Sequence, residues 1–229
     1  FFMNVIARYG SPDYFFTEYF RVHPTSTLDK KILRSITENT TDRPIFAQMI
    51  GESIPDLVRI AQTLSHYAIA GNFDRILELI NRHQIDLLSL HGRTVKEMYR
   101  GAVHYDLIAH AVQRVNCPVL ANGNVTSAQS AAAILAQTKA AGVMVGRAAI
   151  RNPWIFKQIR QILKAEPVSI VTLAEVYDYI ERLRQTTTAL TIPERSRVSY
   201  LKMYLNYIAQ SVDAAGAFLR AMRLTQTEA

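Results

Sequence analysis

Short apolar runs ending in polar or glycine-rich tips dominate the first two-thirds of the chain. They read Pro44-Ile-Phe-Ala-Gln48-Met49, Asp86-Leu-Leu-Ser-Leu-His91-Gly92-Arg93, Pro118-Val-Leu-Ala-Asn122-Gly123-Asn124 and Val143-Met-Val-Gly146-Arg147. Each run is apolar enough to be buried on both faces, as strands are in a parallel sheet covered by helices. The last three are separated by stretches with helical patterning, which is the βαβ arrangement. A β-rich run over 14–20 precedes them. The pattern predicts strands at 44–47, 86–90, 118–121 and 142–145, and helices over 54–67, 73–83 and 104–115. Thr126 and Gln129 have capping-box spacing and open an alanine-rich helix to about 138.

Beyond residue 152 the strand pattern stops. Asn152-Pro153 has the form of an N-cap followed by proline at the first helical position, opening a helix over 154–164. Thr172 and Glu175 form a second capping box, heading a helix to about 188. Pro193 precedes a last helical region over 197–212 with an extension to 224. The expected organisation is an α/β domain over 1–152 and a helical domain over 153–229.

Ligands in parallel α/β folds gather at the carboxyl ends of strands. Gln48, His91, Asn122-Gly123-Asn124 and Gly146-Arg147 are therefore expected around one mouth. Glycine lets backbone approach a ligand closely, and N–H groups entering a helix attract anions. Arg147 adds a guanidinium suited to bidentate phosphate binding. These features fit a phosphorylated cofactor held by 122–124 and 146–147; two ordinary βα turns with a surface arginine would carry the same spacing. Gln48 can donate and accept, as reading the edge of a flavin-like ring requires, and His91 can hydrogen-bond a cofactor or donate a proton.

Net charge and cysteine content narrow the picture. The chain carries 26 Lys/Arg against 19 Asp/Glu, a formal charge of +7. Residues 151–229 hold 11 Lys/Arg against 7 Asp/Glu, so the shorter helical part supplies +4 of that excess. A polyanionic partner fits this bias, and so does a solvated basic face. The single cysteine suits a reducing, cytoplasmic setting. No apolar run approaches the ~20 residues that span a bilayer, and the first residues lack the pattern of a signal peptide. The histidines show no metal-ligand spacing, so no metal site is expected. Cys117 precedes Pro118, at the end of its strand opposite Asn122, and reads as a packing residue.

Taken in order, Thr17-Glu18, Ala47-Gln48-Met49-Ile50-Gly51, His91-Gly92-Arg93-Thr94 with Tyr99-Arg100-Gly101, Asn122-Gly123-Asn124, and Gly146-Arg147-Ala148 ending in Asn152-Pro153-Trp154 resemble the tRNA-dihydrouridine synthases. The resemblance runs from about residue 5 to 160, and the helical tail is similar in kind. It implies a TIM-type (β/α)8 barrel that binds FMN, followed by a helical domain that helps hold tRNA. It also implies reduction of uridine to 5,6-dihydrouridine, with NADPH recharging the flavin. By matching position, Gln48 would bind the ring edge. His91, Asn122, Gly123, Asn124, Gly146 and Arg147 would hold the flavin and its phosphate, and Arg93 would lie near the mouth toward RNA.

The chain departs from that family in two places. It begins after the strand that ends Ala-Pro-Met in the family. Gly71 also runs directly into Asn72-Phe73-Asp74, without the Gly-Cys-Pro segment that carries the catalytic cysteine or the lysine strand beyond it. Five of eight barrel strands are readable, and no residue inherits the cysteine's role. A fragment or internally deleted homologue fits, as does a catalytically inactive homologue that keeps RNA or flavin binding. Another FMN barrel acting on a small pyrimidine is a third reading. Five strands cannot close an eight-stranded barrel, so the chain as written predicts weak folding or an oligomer covering the open edges.

In the tail, Tyr200, Tyr204 and Tyr207 form an i, i+4, i+7 stripe. Patterning alone reads it as a bundle core; with the resemblance, stacking on unpaired bases becomes the expectation. Arg195, Arg197, Lys202, Arg220 and Arg223 are candidate phosphate contacts, with Arg195 and Arg197 the expected pair.

Overall fold

The computed structural model describes residues 2–22, 45–51, 69–93, 101–213 and 215–227, with single positions 31, 34, 38, 40, 41, 43 and 97. The chain divides into two compact units, Asp13–Val145 and a second built from Phe1–Pro12 with Gly146–Ala229.

In the first unit every described strand pairing is parallel, as buried apolar runs joined by helices require. Strand β1 (Phe15–Val22) pairs with β2 (Ile45–Gly51) in one sheet. A second sheet has the order β3 (Leu88–His91), β4 (Val119–Asn122), β5 (Gly142–Met144). Helices α2 (Ile69–Asn81), α3 (Tyr105–Arg114) and α4 (Ala128–Thr138) belong to this unit. Ile108, Ala111, Ala121 and Ala131 are wholly buried, with Leu77 and Val119 almost so. Small residues on the packed faces of α3 and α4 permit the close approach of the two helices. Burial of Ile108 alone contributes about 1.5–3 kcal/mol relative to exposure.

Two differences from the sequence reading stand out here. The alanine-rich helix is capped one residue later than expected, by Ser127. Ser127 Oγ accepts from the Ser130 N–H at 3.1 Å, while Ser130 Oγ accepts from the Ser127 N–H at 2.9 Å. A serine at the third helical position thus replaces the Gln or Glu of the usual box. Helix α2 starts at Ile69, earlier than the expected 73. The helix expected over 54–67 lies outside the described residues. The described strands form two sheets, of two and three strands.

The second unit is helical: α1 (Phe2–Ile6), α5 (Arg147–Arg151), α6 (Ile155–Leu163), α7 (Leu173–Thr188), α8 (Glu194–Ile208) and α9 (Ala217–Leu224). Its core gathers Val5, Tyr179, Leu183, Tyr204, Leu205, Ile208 and Met222. Tyr9, Trp154 and Tyr179 meet edge to face, with centroids 4.8 to 5.9 Å apart. The buried Tyr179 hydroxyl donates to the Ile150 carbonyl at 3.0 Å. Arg160 holds the turn after α1, donating to the carbonyls of Gly10 (3.2 Å) and Ser11 (2.6 Å). Gly10 has φ +107°, and a Cβ there would meet Lys157 Cβ at 2.7 Å, so both backbone and space demand glycine.

The sequence places the change of architecture at 152/153; the units divide at 145/146, and residues 1–12 go with the helices. The reason is that Phe2, Val5 and Tyr9 find their apolar partners on α7 and α8 and beside α6. Asn152 is not an N-cap. It closes α5, its N–H donating to the Ala148 carbonyl at 2.8 Å, and α6 starts after Trp154. The Thr172–Glu175 box forms as read. The tail breaks after α8: the Asp213 carboxylate accepts from the N–H groups of Ala217 (2.8 Å) and Phe218 (2.9 Å), which starts α9 afresh. No helix among the described residues is long and apolar enough to cross a membrane.

Candidate functional site

The register of the three-stranded sheet sets His91 beside Asn122, so two of the expected tips share one edge. Beyond that pair the loops interlock. The Gly92 N–H donates to the Asn122 carbonyl at 3.2 Å, and the His104 N–H donates to the Gly92 carbonyl at 2.7 Å. A Cβ on Gly92 would lie 2.7 Å from Val103 Cγ1 and 3.1 Å from the His104 carbonyl oxygen. Glycine is required here by close approach.

Gly123 is required twice over. Its φ is +124°, and a Cβ would meet Val103 Cγ1 at 3.0 Å. Its carbonyl accepts from the Tyr105 hydroxyl at 2.9 Å. Asn124 follows in the left-handed region at φ +51°, a conformation that asparagine tolerates better than most residues. Asn122 Nδ2 and Ser89 Oγ each lie 3.2 Å from Met144 Sδ, a weak acceptor.

Electrostatics sharpen the role of His91. Partial desolvation of the ring, which stands at the exposed end of β3, helped by the positive Arg93, lowers its pKa below the ordinary histidine value. The imidazole is therefore neutral at physiological pH, with one nitrogen donating and the other accepting. Arg93 Nε donates to the Gly101 carbonyl at 2.7 Å, and His104 Nε2 lies 2.7 Å from Glu97 Oε1. Burial also raises the Tyr105 phenol, opposed by Arg93, which keeps it a hydroxyl donor.

The structure thus brings together His91, Arg93, Asn122, Gly123 and Asn124. Gln48 stands on β2 opposite Tyr19, in the other sheet. Gly146 caps α5 and Arg147 begins it, in the second unit. Gly146 has φ −94°, and a Cβ there would meet nothing within 4 Å among the described residues. Arg195 is exposed on α8, whereas Arg197 Nη1 donates to the Ile192 carbonyl at 2.8 Å. Of the tyrosine stripe, Tyr204 is buried and stacks on Phe2 at 5.0 Å, while Tyr200 and Tyr207 are half-buried. Cys117 lies at the amino end of β4, where a cavity of about 410 Å³ is lined by Ile80, His83, Asp86 and Cys117 among others. Among the described residues, no three His, Cys, Asp or Glu gather as a metal site requires.

Sequence reasoning missed Val103, His104 and Tyr105, which shape the glycine turns from outside the tips. The apolar residue at 103 followed by an aromatic at the start of α3 was the available signal. The donor chemistry around 122–124 fits a flavin phosphate. The Asn124 N–H has no hydrogen-bond partner among the described residues, and the chain turns directly into capped helix α4.

Comparison with known proteins places the chain in a family. The family profile described as dihydrouridine synthase (Dus) matches residues 72–228. Among similar proteins, tRNA-dihydrouridine synthase B of Escherichia coli K12 is 40% identical over 106 residues, covering 46% of this chain and 33% of the relative. That of Proteus vulgaris is 37% identical over 112 residues, covering 48% and 35%. That of Pseudomonas putida is 39% identical over 89 residues, covering 39% and 26%. The match spans 26% to 35% of the length of these relatives. With a family profile covering well over half of its length, the chain belongs to the dihydrouridine synthase family.

Proposed function

We propose that this chain supplies part of a flavin-dependent oxidoreductase that reduces uridine to 5,6-dihydrouridine in tRNA. The observation that carries the reading is the family match over 72–228, which includes the β3 and β4 tips and most of the helical part. FMN, when bound, supplies hydride to the uracil ring, and NADPH restores the reduced flavin. Asn122, Gly123 and Asn124 hold the flavin and its phosphate, with Gly146 and Arg147 as further phosphate contacts. Gln48 binds the ring edge, and neutral His91 hydrogen-bonds the flavin. Arg93 faces RNA, and Arg195 and Arg197 meet its phosphates. The α/β part (1–152) belongs to a TIM-type barrel and the helical part (153–229) to a tRNA-binding domain, at work in the cytoplasm. If the barrel is incomplete as written, an oligomer covers its strand edges.

A second reading, a flavin or RNA binder without turnover, is supported by the position of Cys117. The chain's single cysteine lies at the amino end of β4, away from Asn122 at the carboxyl end. Incubating tRNA that lacks dihydrouridine with the chain, FMN and NADPH, then analysing nucleosides by mass, separates the readings. Dihydrouridine formation supports the enzyme. Bound FMN and tRNA without product supports the binder, and neither binding nor product contradicts both. Replacing Arg195 and Arg197 together lowers the salt dependence of tRNA binding by about 1–2 in log–log slope.

A further inference from the structure

We infer that Tyr105 is a positioning residue for the phosphate of the bound flavin, acting through the Gly123–Asn124 peptide. The inference rests on the flavin reading above. No cis peptide occurs among the described residues, so the Gly123 carbonyl and the Asn124 N–H lie on opposite sides of one planar unit. The Tyr105 hydroxyl takes the carbonyl at 2.9 Å. The N–H on the far side is thereby aimed away from α3, with no partner of its own among the described residues.

Glycine at 123 makes this control necessary. At φ +124°, with no side chain, the peptide is free to rotate unless its carbonyl is held. Among the described residues two groups restrain it: Val103, which packs against the α-carbon face, and the phenol, which fixes the direction of the dipole. Val103 acts by shape and Tyr105 by direction, so only Tyr105 decides where the N–H points. The adjoining carbonyl, that of Asn122, is held separately by the Gly92 N–H. Loss of the phenol therefore leaves the strand register intact and frees one peptide.

The test compares FMN with riboflavin, which carries the same ring without the phosphate. Flavin fluorescence quenching gives both dissociation constants for the unsubstituted chain and for Tyr105→Phe. The expected result is FMN weakened about five- to tenfold in the variant, the effect of one lost orienting hydrogen bond, with riboflavin unchanged. Equal weakening of both ligands, or of neither, overturns the inference. An unsubstituted chain that binds neither flavin overturns the flavin reading instead, and one that binds both equally overturns the inference. A second measurement needs no variant: FMN shifts the Asn124 amide resonance downfield in the unsubstituted chain and riboflavin does not. An Asn124 amide that responds equally to both ligands overturns the role of its N–H.

Discussion

Asn81, the last residue of α2, donates through Nδ2 to the carbonyl of Arg114 at the end of α3, at 2.7 Å. Its Oδ1 accepts from the Asn116 N–H at 2.8 Å, so one amide ties a helix end to the turn that feeds β4. The Arg114 carbonyl is one of the acceptors that a helix terminus leaves without an internal partner. Asn81→Ala removes both bonds and is expected to destabilise the unit by about 1–2 kcal/mol in urea unfolding. Asn81→Asp keeps the acceptor and loses the donor, so it should fall between the two. An alanine variant as stable as the parent shows the clip to be dispensable.

Gly123 separates backbone strain from steric conflict. Gly123→Ala places a methyl 3.0 Å from Val103 Cγ1 at a φ that alanine avoids, and should cost about 1–3 kcal/mol. Adding Val103→Ala relieves only the contact. The double variant should therefore recover part of the loss, beyond the cavity effect of Val103→Ala alone, as read by a double-mutant cycle. Full recovery would mean that the backbone conformation carries no cost.

The depressed His91 pKa has a defined sign. Below the ordinary value near 6.5 the unfolded chain takes up a proton that native His91 resists, so stability declines as pH falls from there toward the folded value. Above 6.5 the contribution is constant. Burial is the larger cause and Arg93 the smaller, so Arg93→Ala should raise the His91 titration midpoint only in part, as followed by its ring-proton resonance. A midpoint at or above the ordinary value in the unsubstituted chain contradicts the assignment of a neutral ring.

Arg160 grips two successive carbonyls, Gly10 and Ser11, with separate nitrogens. A lysine offers a single point charge and cannot match that fork. Arg160→Lys should expose the 7–12 segment to limited proteolysis nearly as much as Arg160→Ala does. Protection by lysine equal to that by arginine would show that charge alone suffices.

The strands were legible because apolar runs closed by polar tips mark parallel strands, and each overlaps its expected place, although β2 runs to Gly51 rather than ending at 47. The turn at 122–124 was legible for a related reason: Asn-Gly-Asn after such a run has few structural uses, whereas the expected meeting of Gln48 and Gly146-Arg147 with it is not among the described contacts. Val103 and Tyr105 were not, because their meaning depends on the β3–β4 register that brings residue 123 beside them. The packing of Phe2 and Tyr9 was equally hidden, since their partners Tyr204 and Trp154 lie far along the chain. The Asn152-Pro153 signal misled because a helix end and a helix start fall within three residues of each other, and the asparagine serves the end. The tyrosine stripe shows how spacing marks a helix face without saying whether that face meets solvent or the core. Tyr204 took the core.

The central claim is most directly tested by equilibrium dialysis of the purified chain against FMN, repeated with His91→Ala and Asn122→Ala. One FMN held per chain, with binding weakened in both variants while circular dichroism stays unchanged, is the predicted result. No retained flavin, or retention indifferent to both substitutions, would contradict the placement of the cofactor at the β3 and β4 tips.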